Sequence, residues 1–189
     1  RVMRCAVRLA KEGLIQPVLN GSRLDISRQA AEYHIDIADI PIMDPSTYPR
    51  MDEMILRMVE LRKGKLSALE CCDQLRQPQY FATMCLVMGD VDGLLGGATI
   101  TTRETLRAAL QLIKPKENCD IVSSCFLMKQ GDRCFILGDC SLNIEPDAAQ
   151  LVEITIQCAK TAQMFGMTPR VGLLSYSTLG SGSGPSVEK

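Results

Sequence analysis

The residues best suited to chemistry in this chain are hydroxyls, glycines and arginines. Ser175, Ser177, Thr178, Gly180, Ser181, Gly182 and Ser183 share one stretch, Ser175 to Gly184, in which almost no side chain shields the backbone. Glycine lets successive amides converge, serine hydroxyls add donors, and a helix starting near Pro185 adds its positive dipole end, which together make an anion nest for phosphate or carboxylate. In that reading Gly182 sits at positive φ, where a β-branched residue is excluded. The same composition also describes a flexible linker, and the residues alone leave both readings open. No Gly-Lys-Ser/Thr closes the loop, and the spacing does not match the dinucleotide fingerprint.

A second stretch of glycines and hydroxyls runs from Gly96 to Thr102 and includes Thr101. Arg107 follows on the next expected helix, either as a fixed guanidinium that grips phosphate bidentately or as an exposed helix arginine. Arg62, Lys63 and Lys65 cluster where another helix should end, which suits an anion but equally suits solvated cations at the negative end of a helix dipole. Asp139 and Asp147 are candidates for acid/base work, although an N-cap explains Asp147 as well. No Ser/His/Asp or Cys/His pairing is present, and His34, the only histidine, reads as a partly exposed helix-end residue. No His/Cys/carboxylate group falls at ligand spacing, so no metal is expected.

Composition narrows the classes. With 189 residues and 46% hydrophobic content the chain can bury a sizeable core. Its 21 basic and 22 acidic residues nearly cancel, which argues against nucleic acid or an anionic membrane as partner, so any bound anion must be caught locally. No run reaches the length of a membrane span and no signal peptide is recognisable, so the expected location is cytoplasmic. Nine cysteines, an odd number without Cys-x-x-Cys spacing, read as reduced core thiols. The first residue is Arg1, and a segment upstream is expected to have been removed.

The candidate groups need elements to hold them. Val2, Ala6, Leu9 and Ala10 fall on one helical face, Pro17 to Leu19 reads as a strand into the Asn20-Gly21 turn, Leu24 to Ile35 as a helix, and Asp39 to Met43 as a short edge strand. Such alternation implies a parallel α/β sheet. Helices follow from Asp52 to Lys63, from the Ser67/Glu70 capping box, from Gln79 to Met88 in an apolar and buried segment, and from the Thr101/Glu104 capping box to Lys114. Val91 to Ala98 and the run from Val171 read as strands feeding the two glycine stretches. Ile121 to Met128 and Cys134 to Leu137 form a hairpin signal, and Pro146-Asp147 opens a long helix closed by Gly166. The change of pattern after Pro115 divides the chain into a first α/β domain, 1–117, and the start of a second, 118–189.

These motifs, in this order, resemble the phosphate acetyltransferase (phosphotransacetylase) family. The likeness is carried by Asp90-x-Asp92-Gly93 with Gly96-Gly97-Ala98, by Thr101-Thr102-x-x-Thr105-Leu106-Arg107 through Lys114, by Gly138-Asp139-Cys140-Ser141-Leu142-Asn143, and by Phe165-Gly166-x-x-Pro169-Arg170-Val171 leading into Leu174-Ser175-Tyr176-Ser177-Thr178-x-Gly180-Ser181-Gly182-Ser183-Gly184. Ile100 stands where many members have His, and Ala108 where many have Pro. The last element favours acetyl over butyryl transfer.

The resemblance implies reversible acetyl transfer between acetyl phosphate and coenzyme A. It also implies a three-layer α/β/α fold similar to the isocitrate/isopropylmalate dehydrogenase-like fold, with two domains and a cleft, incomplete here. A homodimer without cofactor or metal is implied as well. By position Arg62 matches a residue that serves coenzyme A, and Arg107 one that serves the substrate phosphate. The catalytic base, an aspartate with a Ser-Arg pair, is expected beyond Lys189, so the 189 residues are expected to be a fragment, inactive alone, lacking the extreme N-terminus and the C-terminal third. Two other readings stay open: a non-catalytic acetyl-CoA-sensing domain of the same ancestry, and a propionyl or butyryl transferase.

Overall fold

A computed structural model of the chain describes residues 1–98, 100–115, 119–175 and 177–188. They fall into two compact units, Arg1–Lys114 and Pro115–Lys189. The fold is α/β, with helices around small sheets.

In the first unit, α1 (Val2–Lys11) leads to β1 (Leu19–Asn20), then α2 (Arg23–Glu32) and β2 (Ile42–Met43). The two strands are parallel, with Leu19 opposite Ile42 and Asn20 opposite Met43. Ala6, Leu19 and Ile40 form a small core here, joined by Met3, Val7 and Ala10, so the buried face of α1 is Met3/Ala6/Val7/Ala10 and not the expected Val2/Ala6/Leu9/Ala10. Asp44, just past β2, accepts from the Arg23 amide at 2.7 Å and from the Ser46 amide and hydroxyl. That carboxylate ties the start of α2 to the end of β2, and the same hydrogen bonds hold its pKa below the usual value.

Four further helices build the main core. They are α3 (Met51–Leu61), α4 (Ala68–Leu75), α5 (Pro78–Val87) and α6 (Thr102–Leu112). Spacing of i, i+4 puts Met54 and Met58 on one stripe of α3, Cys71 and Leu75 on one stripe of α4, and Ala108 and Leu112 on one stripe of α6, all fully or almost fully buried. The apolar sequence of α5 is buried on several sides through Tyr80, Phe81, Ala82, Thr83, Met84 and Cys85. Pro78 stands at its first turn, where the missing N–H costs nothing. Phe81 meets Tyr48 edge to face, with ring centroids 5.3 Å apart.

In the second unit, β3 (Cys125–Gln130) and β4 (Arg133–Gly138) pair antiparallel, from Cys125 opposite Gly138 to Gln130 opposite Arg133. Gly131, at φ 57°, takes the first position of the two-residue turn, as a Gly-X hairpin of the II′ kind requires. The ribbon is followed by α7 (Ala148–Met164) and the single turn α8 (Pro185–Glu188). Cβ positions built at Gly138 would collide with Cys158 Sγ of α7, so this close approach of strand to helix requires glycine.

Some expectations need correction. Val91 to Ala98 and Val171 to Leu174 are not strands, and residues 121–124 lie outside β3. A strand exists only with a neighbour to complete its ladder. Here Leu95 is 92% exposed and Leu174 95% exposed, with no adjacent strand among the described residues. The cysteines are free but not uniformly core: Cys71 and Cys85 are buried, whereas Cys5, Cys125 and Cys134 are exposed. Exposure follows from their elements, since both strands of the hairpin are open to solvent along their length.

The core position of Phe81 leads to a quantitative expectation. Phe81→Ala should destabilise the first unit by about 3–5 kcal/mol in urea unfolding. Leu56→Ala, on the outer face of α3 and 65% exposed, should stay within about 0.5 kcal/mol. Comparable losses for the two variants would refute the packing described.

Candidate functional site

Each candidate group is set by a local device that can be traced to sequence. Thr101 is the N-cap of α6 and closes a capping box. Its hydroxyl accepts from the Glu104 amide at 3.2 Å and donates to Glu104 Oε2 at 2.7 Å, while the same Oε2 accepts from the Thr101 amide at 2.9 Å. The Thr101 hydroxyl holds Glu104 below the ordinary glutamate pKa, with help from the amide. Thr102 is the first residue of the helix and is exposed.

Arg107 lies further along α6, with its guanidinium exposed. Among the described residues no carboxylate stands within ion-pair distance of it. With Gln74, Gln77, Gln79, Tyr80 and Glu104 it lines a polar pocket of about 150 Å³. One wall is stiffened by the Tyr80 hydroxyl, which donates to Gln111 Oε1 at 2.9 Å.

Arg62 is the C-cap of α3. Lys63 and Gly64 both take left-handed φ, 52° and 70°, and the Gly64 amide returns to Val59 O at 3.3 Å, so the chain turns off the helix at once. Lys63 and Lys65 are exposed, as solvated helix-end cations should be, but Arg62 is half-buried and its Nε is buried without a partner among the described residues. Its charge is felt by Cys71, where burial raises the thiol pKa and Arg62 opposes the rise.

In the second unit Ser175, Ser177, Thr178, Gly180, Ser181, Gly182 and Ser183 lie together in one self-bonded loop. Leu179 and Gly180, at φ 48° and 82°, are the central residues of a turn closed by the Ser181 amide on Thr178 O at 3.0 Å. Ser177 Oγ donates to Gly182 O at 3.0 Å and accepts from the Gly182 amide at 2.9 Å, and Ser181 Oγ accepts from the Thr178 amide at 2.8 Å. The Ser177 amide meets Ser175 Oγ at 3.1 Å. This pattern fits neither a floppy linker nor an open ring of free amides. Positive φ falls at Leu179, Gly180 and Gly184 among the described residues, and not at Gly182 as the nest reading requires. Tyr176 lies outside the described residues.

The structure thus gathers Thr101, Thr102 and Arg107 on α6, places Arg62 on α3 in the same helical core, and collects the serines and glycines in the second unit. It also removes both acid/base candidates. Asp147 is the N-cap of α7, in a capping box with Gln150. Asp139 Oδ1 accepts from the Ser124 hydroxyl and from the Ser124, Ser141 and Leu142 amides, and Oδ2 from the Asn143 amide at 2.8 Å and Asn143 Nδ2 at 2.5 Å. Burial raises the pKa of Asp139, but these donors outweigh it and hold the carboxyl well below the usual range. A carboxylate with this many donors organises a loop and is a poor proton acceptor. Asp followed by Ser and Asn within four residues is an Asx-turn signature, and that signal was available in the sequence.

A family model described as Phosphate acetyl/butaryl transferase matches the chain over residues 1–189. The chain belongs to this family. It is 38% identical over its whole length to a phosphate acetyltransferase of Bacillus subtilis, covering 58% of that protein, and 40% identical to one of Staphylococcus epidermidis, covering 57%. Among solved structures, EutD phosphotransacetylase from Staphylococcus aureus superposes with a TM-score of 0.90 at 37% identity, over 100% of this chain and 57% of that one. A phosphotransacetylase from Streptococcus pyogenes gives 0.90 at 36% identity. The chain therefore spans a little over half the length of these acetyl/butaryl transferase relatives.

In this family member Asp139 leads to a prediction with a definite sign. Its pKa is depressed in the folded state, so its stabilising effect is present above the unfolded value of about 3.9 and is lost as pH falls through the folded value. An amide in its place must turn NH₂ either to the Asn143 donors or to the Ser124 side, where the Ser124, Ser141 and Leu142 amides are donors and the Ser124 hydroxyl oxygen already accepts from the Cys140 and Ser141 amides. Asp139→Asn should cost about 2–4 kcal/mol at pH 7 and flatten the loss of stability below about pH 4. Urea unfolding followed across pH, with the variant as steep in acid as the wild type, would refute this role.

Proposed function

We propose that the protein is a phosphate acetyltransferase, moving an acetyl group reversibly between acetyl phosphate and coenzyme A. The observation that supports this reading most is Arg107: a guanidinium with no carboxylate within ion-pair distance among the described residues, on the helix whose N-cap is Thr101, in a chain matched along its whole length by the acetyl/butaryl transferase family. The same reading extends to a three-layer α/β/α architecture of the isocitrate dehydrogenase type, a homodimer, a cytoplasmic location and a reaction without cofactor or metal, each resting on the sequence resemblance.

In the reaction the thiol sulfur of coenzyme A attacks the acetyl carbonyl carbon, the bond from that carbon to the phosphate oxygen breaks, and inorganic phosphate leaves while a base takes the thiol proton. Charge grows on the leaving phosphate and on the carbonyl oxygen, so donors fixed before the reaction lower the barrier. In the first unit Arg107 supplies a planar fork for a phosphate, with Thr102 a candidate donor on the same helix, and in the second unit the hydroxyls of Ser175 and Thr178 are candidate donors in their own loop. The Ser177 clasp and the Gly180 turn serve to hold the loop's shape, with Ser181 and Gly182 as their partners. Arg62 serves a phosphate of coenzyme A through the part of its guanidinium beyond the buried Nε. Asp139 and Asp147 are engaged elsewhere, and the base expected from the resemblance is an aspartate outside these residues.

Steady-state turnover, measured in the full-length background because the 189 residues alone are expected to be inactive, tests the reading directly. Arg107→Lys should lower kcat/KM for acetyl phosphate by at least about tenfold, because a point charge does not replace the bidentate fork. Arg62→Ala should instead raise KM for coenzyme A with kcat nearly unchanged, as a remote contact felt equally in ground and transition states does. Acetyl-CoA binding without any turnover would favour the sensor reading, and faster turnover with butyryl phosphate would favour the longer acyl group that the family description includes. Arg107→Lys kinetics identical to wild type would return that residue to the solvated surface.

A further inference from the structure

We propose that Asp90 is a positioning residue for the phosphate-binding end of α6, a role resting on the transferase reading above. Asp90 stands at the junction between α5 and the glycine-rich segment 91–98, its amide closing α5 on Cys85 O at 2.9 Å. Its side chain is only 15% exposed. Oδ2 accepts from the Tyr48 hydroxyl at 2.5 Å, and Oδ1 from Arg50 Nη1 at 2.7 Å. Arg50 is at the same time the N-cap residue of α3 and holds Glu53 through Nε and Nη2 at 2.8 and 2.7 Å. The Tyr48 ring is locked against Phe81 of the core. Burial, and then the Asp90 hydrogen bond, push the Tyr48 hydroxyl pKa well above its ordinary value, so the phenol remains a donor.

This clamp joins three pieces of chain that are far apart in sequence: the start of α3, the end of α5 and the root of the segment that delivers Thr101. Beyond Val91, which packs against the core, no side-chain hydrogen bond or ion pair holds the described residues 92–98. Residues 92–98 are exposed and pair with no strand, and a Cβ at Gly96 or Gly97 would lie 3.9 or 3.8 Å from the Thr105 side chain. The clamp fixes the end of α5 against the start of α3, and α6 packs on α5 through Ala108 and Leu112 and through the Tyr80–Gln111 hydrogen bond, so a shift of α5 against α3 carries Thr102 and Arg107 with it relative to Arg62. A displacement of about 1 Å in a phosphate-binding group is enough to weaken its contacts severely.

A merely structural Asp90 and a positioning one differ in what survives in the folded variant. Inorganic phosphate binding by calorimetry and the KM for acetyl phosphate should both worsen at least fivefold in Asp90→Ala, with Asp90→Asn and Tyr48→Phe intermediate. The kcat at saturating substrate should stay within about twofold. Glu60→Gln, on the outer face of α3, is the control and should match the wild type in every readout. If Asp90→Ala fails to fold, Asp90→Asn and Tyr48→Phe decide by the same two measurements. Folded variants with a lower melting temperature but phosphate affinity and KM within twofold of wild type would overturn the proposal. All variants are compared in the full-length background: a full-length wild type that binds phosphate without turnover would overturn the transferase reading alone, leaving calorimetry to decide on Asp90, and a full-length wild type that binds no phosphate would overturn both.

Discussion

The arrangement of the first unit depends on one helix having no solvated face to spare. With Tyr80, Phe81, Met84 and Cys85 all buried, α5 must be covered by α3, α4 and α6, and their stripes of Met54/Met58, Cys71/Leu75 and Ala108/Leu112 are what cover it. Removing such area from water is the largest favourable term available, at about 25 cal/mol per Å². The burial of Cys85 is deep enough to push its thiol up to about 11, first through desolvation and then through the charge of Asp90. Once the three covering helices are placed, Arg62 and Arg107 are placed with them, although neither belongs to the core.

Within each unit, polar side chains settle the amides that helices and turns leave without partners. Thr101, Ser67 and Asp147 each close a capping box, Asp44 receives the first amide of α2, and Ser177 and Ser181 bridge their own loop. Each such bond contributes only about 1 kcal/mol, but an unpaired buried donor costs more than that. Functionally the effect is subtractive. Amides of Ser177, Thr178, Ser181 and Gly182 are already engaged within the loop, so its capacity for an anion rests on the remaining donors and on the hydroxyls, and its preformed shape reduces the ordering cost of binding.

Features that depend on near neighbours were legible in the sequence. Capping-box spacing announced Thr101 and Ser67, two strand-like runs in succession announced the hairpin, the unbroken apolar run announced the burial of α5, and Gly166 announced a helix end. Features that depend on distant partners were not. Val91 to Ala98 and Val171 to Leu174 have strand-like composition, but composition does not say whether another strand lies beside them. Asp90 carries no local mark of its partners, because Tyr48 and Arg50 lie 42 and 40 residues away. Asp139 was misread for a different reason: a carboxylate after a strand suits a base as well as it suits a loop organiser, and only its count of donors separates the two.

The same reasoning explains why Arg107 remains available. Glu104 precedes it by three positions on α6, a spacing at which a glutamate and an arginine ordinarily pair across one turn. Comparable pairs do form elsewhere in this chain, Arg50 with Glu53 and Arg57 with Glu60 at 2.7 and 2.8 Å. Glu104 is withheld because Oε2 is bound by both the amide and the hydroxyl of Thr101, two short bonds that favour its ionised form and draw it back towards the helix start. The capping box that begins α6 thus also keeps Glu104 from closing a contact ion pair with Arg107, although the two charges still attract at longer range. A residue whose charge is left open by the device that builds its helix is better placed to meet an external oxyanion than one that must first give up an ion pair.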